Sequence, residues 1–180
     1  MNTLPDLLDD HLTVLSVGLN PSIPSAKAGF YFANPRNRFW SALNACGMFT
    51  ETLEPSLASC QHLQRQYHIG FTDLVKRPTA GCKDLNAADY RAGSARLLDL
   101  ITELKPAVIW FNGKLTCQKY LQYSPQKGSV IEWGLQPWRL LNSSVFVTPN
   151  PSPANAAFSL PLISDSYRAL FQHALGSAKC

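Results

Sequence analysis

The chain has 180 residues, 46% of them hydrophobic, and 16 Lys and Arg stand against 12 Asp and Glu for a formal net charge of +4. That length and apolar content suffice for one domain, residues 1–180, with a full core and no disulfide or metal staples. No run of about 18 apolar residues occurs, and Met1 to Asp6 lack the basic flank and apolar stretch of a signal peptide, so a soluble, cytoplasmic chain with no membrane partner is expected.

The first apolar run, Thr13 to Gly18, is strand-length and breaks into Leu19-Asn20-Pro21-Ser22 and then an aromatic loop, Gly29-Phe30-Tyr31-Phe32-Ala33-Asn34-Pro35. A helical pattern follows over Asn37 to Met48, closed by Gly47. Ile69 to Val75 reads as a second strand, and Asn86 to Leu104 as a helix with a cap-like Asn86 and apolar positions at Leu97, Leu98, Ile101 and Leu104. Ala107 to Phe111, before Asn112-Gly113, is a third strand, followed by a shorter helix after Lys114. Tyr120 to Ser129 is polar and contains proline, which predicts a surface loop. Val145 to Thr148 is the fourth strand, before Pro149-Asn150-Pro151, and Ser164 to Leu175 is an amphipathic helix. Nearly continuous apolar strands alternating with helices predict a parallel sheet covered on both faces.

Charge and thiols narrow the class. Acids are absent from His11 to Thr50, which holds Lys27, Arg36 and Arg38, and again from Trp133 to Ser164. Such windows suit loops that face phosphates, or buried strands. Cys46, Cys60, Cys82, Cys117 and Cys180 form no Cys-x-x-Cys pair, which argues against a disulfide framework and against common zinc sites. His11, His62, His68 and His173 show no metal-pair spacing and are expected to be non-catalytic.

Polar residues at strand ends carry the chemistry. Asn20, Asp73 and Asn150 each follow or close an apolar strand, where open α/β sheets place ligands. Asp73 is the only acid between Glu54 and Asp84, with Lys76 and Arg77 close behind. A lone carboxylate there suits a role on water or on a cationic transition state, or else caps the following turn. Phe30, Tyr31 and Phe32 offer a flat stacking surface or core, and at least one of three consecutive aromatics should point away from the core. Phe39 and Trp40 are expected in the core. Asn150 to Phe158 has prolines on both sides of Ser152 and reads as a stiff wedge, or as a plain strand-to-helix turn.

Taken in order, Gly18-Leu19-Asn20-Pro21-Ser22, Gly29 to Trp40, Gly70-Phe71-Thr72-Asp73-Leu74-Val75-Lys76-Arg77-Pro78-Thr79, Phe111-Asn112-Gly113-Lys114, Trp133-Gly134-Leu135-Gln136-Pro137 and Asn150-Pro151-Ser152 resemble the mismatch-specific uracil-DNA and thymine-DNA glycosylase family of the uracil-DNA glycosylase superfamily. The resemblance spans roughly Val14 to Leu175. It implies a three-layer α/β/α fold around a four-stranded parallel sheet, and hydrolysis of the N-glycosidic bond of a flipped-out base in double-stranded DNA, without cofactor or metal; separately, a monomer is expected. By the same resemblance Asn20 positions the attacking water and Phe32 stacks on the base. Ser25 falls near a pocket serine, and Leu19 and Ser22 complete the base-binding set. Asn150 lies at the sugar-phosphate side with Ser152, and Pro153, Ala154 and Asn155 form the wedge.

Three departures from the family pattern stand out. Ser22 replaces the usual glycine, Asp73 stands where relatives often carry Lys or Asn, and Ala154-Asn155 lacks a large apolar or arginine wedge. Uracil in G:U mismatches is the leading substrate, with Asp73 as a second water-activating group. Deaminated purines such as hypoxanthine or xanthine, or noncatalytic binding of damaged DNA, are the alternatives.

Overall fold

Every parallel strand alternates its side chains between two cores, and that alternation builds the layers. The computed structural model describes residues 3–126 and 129–176. In chain order it contains β1 (Val14–Gly18), α1 (Ile23–Ala28), α2 (Phe39–Ala45), α3 (Leu57–Tyr67), β2 (Ile69–Asp73), α4 (Ala87–Leu104), β3 (Val108–Asn112), α5 (Lys114–Tyr123), β4 (Gly134–Leu140), β5 (Ser143–Thr148) and α6 (Leu160–Gly176), with a single 3-10 turn at Cys82–Asp84. The sheet order is β2-β1-β3-β5-β4. Val14, Ile69, Phe71, Val108, Trp110 and Phe146 face a core shared with Phe39, Leu63 and Phe171, from α2, α3 and α6. Leu15, Val17, Ile109, Phe111, Val145 and Val147 face the other, shared with Leu97, Ile101 and Cys117 from α4 and α5. Helices therefore cover both faces of the sheet, as the near-continuous apolar strands require.

The expected four-stranded parallel sheet is present as β2, β1, β3 and β5, and a fifth strand, β4, pairs antiparallel with β5 at the edge. Its alternation is concealed in the sequence by Pro137 and by a register shift between Leu135 and Arg139. Proline is confined to such edges because it donates nothing to a ladder. At the opposite edge, Leu7 exchanges backbone hydrogen bonds of 3.0 and 2.8 Å with Phe71, so the N-terminal segment shields β2.

Caps set most helix starts. Asn86 accepts from the amides of Ala88 and Asp89 while Asp89 returns a carboxylate to the Asn86 amide, which starts α4 where the sequence indicated. The segments α1 and α3 escape periodicity analysis: α1 is only six residues long, and both begin at serine caps, Ser22 and Ser56. The helix expected over Asn37 to Met48 is shorter, because Asn37 Oδ1 accepts from the Phe39 amide and so caps from within the proposed span. The last helix starts earlier than expected, at Leu160, and Tyr120 to Tyr123 belong to α5 rather than to a loop. Lys127, Gly128 and Cys180 lie outside the described residues. Cys46, Cys60 and Cys117 are buried free thiols. No helix among the described residues is long and apolar enough to cross a membrane.

Candidate active site

Because β1, β2, β3 and β5 run parallel, their carboxyl ends share one edge of the sheet. The chain winds from β1 to β2 on one side and to β3 on the other, and the crevice beside such a reversal is where α/β sheets bind ligands. A cavity of about 570 Å³ opens there, and its wall includes Gly18, Asn20, Phe32, Asp73, Asn112 and Asn150.

Asp73 ends β2 directly opposite Gly18 of β1. It is 4% exposed, and its Oδ2 has no hydrogen-bond partner. A β-carbon on residue 18 would lie 2.3 Å from Asp73 Oδ1, so only glycine leaves room for the carboxylate. Lys76 and Arg96 lie nearby, but both pair with Asp6, at 2.6 and 2.9 Å. Arg96 also donates to the backbone carbonyl of Asp73 and not to its carboxylate. Burial is the main influence on the acid, opposed by Lys76, reinforced by Asp6 and opposed again by Arg96; together they push it up to about 7. The carboxylate does not cap the turn after β2.

Asn20 lies two residues beyond β1, half-buried. Its Nδ2 donates to Thr79 Oγ1 at 2.7 Å and to the Arg77 carbonyl at 3.0 Å, and Thr79 in turn donates to the Gly81 carbonyl at 2.9 Å. The Arg77 carbonyl accepts only, so it fixes which edge of the amide is NH₂ and leaves Oδ1 as the remaining acceptor. Backbone bonds from Leu74 to Gly18, Val75 to Leu19 and Thr79 to Pro21 zip the two loops together. Asn20 and Asp73 thus share the cavity that their positions at neighbouring strand ends led us to expect.

Ser22 caps α1 by accepting from the Ser25 amide, and Ser25 Oγ accepts from Ala33 N at 3.2 Å, tethering the aromatic loop. Leu19, Ser22 and Ser25 all line the cavity. None of the three loop aromatics leaves the core entirely, contrary to expectation: Tyr31 is buried in it and Phe30 and Phe32 are half-buried against it, with Phe32 also on the cavity wall. The Phe32 backbone has φ 58°, a conformation that L side chains seldom hold without a local reason. Its ring lies flat on buried Phe39, 3.8 Å between centroids and 8° between planes. Phe39 therefore backs one face of Phe32 with core.

The loop after β5 is built around an arginine. Arg38, in a window that the sequence left open to phosphate contact or to burial, turns inward. Its Nη2 donates to the carbonyls of Ser152 at 3.0 Å and Asn155 at 2.6 Å, its Nε to Pro151, and its Nη1 to Phe158. Asn150 Oδ1 accepts from the Ser152 amide, and Asn155 Nδ2 donates to the Asn150 carbonyl at 3.0 Å. Pro153 and Ala154 are left exposed at the tip. Asn150, Ser152, Ala154 and Asn155 line the cavity, and Pro153 does not.

Asn112 emerges as a site residue that its sequence position only hinted at. It is 2% exposed, its Nδ2 donates to Ser16 Oγ at 2.9 Å, and its Oδ1 is buried without a partner on the cavity wall. The available signal was an amide closing an apolar strand immediately before glycine. Gly113 has φ 104°, and a β-carbon there would crowd Asn150 at 3.1 Å. Among the described residues no three His, Cys, Asp or Glu gather as a metal site.

The family model of the uracil DNA glycosylase superfamily matches residues 5–175. Among solved structures, the chain is similar to the solution NMR structure of a candidate uracil DNA glycosylase from Methanosarcina acetivorans, with a TM-score of 0.62 at 24% identity over 97% of this chain and 98% of that one. At that identity the likeness speaks to the fold, and the family match speaks to the chemistry. The chain belongs to the uracil DNA glycosylase superfamily, and it is a DNA glycosylase.

Proposed function

We infer that the enzyme hydrolyses the N-glycosidic bond of uracil flipped out of double-stranded DNA, favours G:U mismatches, and stands with the mismatch-specific uracil-DNA and thymine-DNA glycosylases inside the superfamily. The observation that carries this reading is a pair of buried acceptors, Asp73 Oδ2 and Asn112 Oδ1, both unpaired on the wall of one cavity. An unsatisfied buried acceptor costs about 1–3 kcal/mol, so each calls for a donor that arrives with the substrate. Uracil supplies an imide N–H for Asn112. The attacking water supplies an O–H for Asp73.

Extrusion comes first, at a cost of a few kcal/mol that is least for a mismatched base. The base then lies against Phe32, and the loop from Asn150 to Asn155 enters the space it leaves. Asn20 Oδ1 orients a water toward the sugar C1′ while Asp73 accepts its proton. The C1′–N1 bond breaks with its electron pair moving onto uracil, where backbone N–H groups of the Leu19 to Ser22 turn face the growing charge. The Asp73 carboxylate also steadies the oxocarbenium-like sugar. An acid held near 7 is matched to this task, since a base works best when its pKa lies close to the working pH. The uracil anion takes up one proton from solvent and Asp73 returns one to solvent, so the products are free uracil and an abasic site, and the strand breaks only on later alkali treatment.

Hypoxanthine is the competing lesion, because it offers an equivalent ring N–H and a cavity of about 570 Å³ admits a fused ring. Duplexes carrying uracil opposite G, uracil opposite A, hypoxanthine or xanthine, incubated with purified protein and cleaved with alkali, test the assignment. Uracil opposite G is expected to be released fastest. Faster release of hypoxanthine would move the substrate class to deaminated purines, and intact strands throughout would refute the reading.

A further inference from the structure

Trp133 is 43% exposed, although it lines the same cavity as Asn20 and Asp73. An indole left in water at the mouth of a nucleic-acid site offers a flat π face on which a base can stack. The ring is held in place. Phe158 meets it edge-on, with centroids 5.0 Å apart and planes at 72°, and Lys114 Nζ lies 4.8 Å from its centroid. These side chains come from separate segments: Phe158 from the end of the loop that Arg38 holds, Lys114 from the first turn of α5, and Trp133 from the residue before β4. Lys114 joins no ion pair among the described residues, so its charge is available to a phosphate.

We propose that Trp133 and Lys114 form a second nucleobase subsite, which stacks the base adjoining the flipped nucleotide on the lesion strand while the ammonium meets its phosphate. When a nucleotide leaves the stack, its neighbour is left with one bare face. The loop that enters the gap carries Phe158, and Phe158 fixes Trp133, so the indole stands beside the bared base. Base-on-aromatic stacking is insensitive to sequence, since every base has a π face, and it needs no opposing strand. The subsite therefore extends the enzyme's reach to lesions in single-stranded DNA. The kinetic arm of its test rests on the uracil reading above; the binding arm does not.

Single-stranded tetranucleotides provide the test. One set carries uracil with intact neighbours, and two further sets replace the 5′ or the 3′ neighbour by an abasic tetrahydrofuran. The wild-type enzyme is expected to lose about tenfold in kcat/KM when one particular neighbour is removed, within the range for one stacked base. Trp133→Ala should lose that dependence, and Trp133→Phe should keep most of it. The Lys114→Met variant should flatten the salt dependence of binding by about 0.7 in log–log slope, the value for one contact to single-stranded phosphate. Binding of the same tetranucleotides with tetrahydrofuran at the lesion position, read by fluorescence anisotropy, reports the subsite even if uracil is not excised. Equal dependence on neighbours in wild type and Trp133→Ala, by both readouts, would overturn the proposal. Loss of excision with the binding pattern retained would overturn only the uracil reading.

Discussion

The two walls of the cavity treat their polar atoms in opposite ways. On the wall made by the strand ends, Asp73 Oδ2 and Asn112 Oδ1 are buried and unpaired. On the facing loop, one guanidinium gathers the carbonyls of Pro151, Ser152, Asn155 and Phe158, and the side chains of Asn150 and Asn155 close the remaining turns. The first wall holds free energy in reserve for an incoming partner, whereas the second spends its hydrogen bonds on its own shape. Reactive groups need unmet valence. A loop that enters a duplex needs its conformation fixed beforehand, so that ordering it does not subtract from binding.

Removing the unmet acceptor should have the largest effect. Asp73→Asn is expected to lower kcat by about 10²–10⁴-fold, the range for a general base, with affinity for an abasic-site duplex within about threefold. Wild-type activity should rise with pH through about 7 as Asp73 ionises, and that limb should be missing in the variant. The stability change has the opposite sign. Because the folded-state value is raised above the unfolded one, ionisation of Asp73 removes stability progressively as pH climbs from near 4 to 7. Asp73→Asn should therefore be more stable than wild type at pH 8 by on the order of a few kcal/mol, read by denaturant unfolding, and the gain should vanish below about pH 4. Parallel loss of excision and of abasic-site affinity would assign Asp73 to structure.

Gly18→Ala probes the same wall without removing or adding a polar group. Its β-carbon would meet Asp73 Oδ1 at 2.3 Å, so the carboxylate must move. A displacement of about 1 Å at a reacting group costs on the order of 10²-fold in rate. Wild-type kcat in Gly18→Ala would mean that the position of Asp73 is unimportant.

Arg38→Met tests the satisfied wall. It takes the guanidinium from four carbonyls and leaves those of Asn155 and Phe158 without a donor, since Pro151 and Ser152 keep the backbone amides of residue 38 and Asn155; the expected outcome is a KM increase of about tenfold with kcat nearly unchanged, together with a stability loss of about 2–4 kcal/mol from charge-assisted hydrogen bonds. Steady-state kinetics and thermal unfolding separate the two effects; a fall in kcat alone would contradict a role in shaping the loop. Asn155→Ala should act most gently, shifting relative excision opposite G, opposite A and in single strands by about two- to threefold through loss of one neutral hydrogen bond. Unchanged ratios in all three contexts would remove Asn155 from partner selection.

The contrast also explains what was legible in the chain. Asn20 and Asp73 were visible because apolar strands end at them, and parallel strands bring their ends together by construction. Phe32 was one of three indistinguishable aromatics until backbone geometry sent Tyr31 inward and laid Phe32 on Phe39. The fifth strand hid behind Pro137 and an irregular register. The role of Arg38 was left open because an arginine in an acid-free window looks the same whether it faces phosphate or carbonyls.

Local pattern was enough for the apolar strands, the helix caps and the polar residues at strand ends, since each depends on neighbours within a few positions along the chain. The destination of the Arg38 guanidinium more than 110 residues away, the pairing of Lys76 and Arg96 with Asp6 and not with the Asp73 carboxylate, and the unpaired oxygen of Asn112 arise only when distant segments pack together. Pairing and burial are properties of the assembled interior, and one-dimensional order does not contain them.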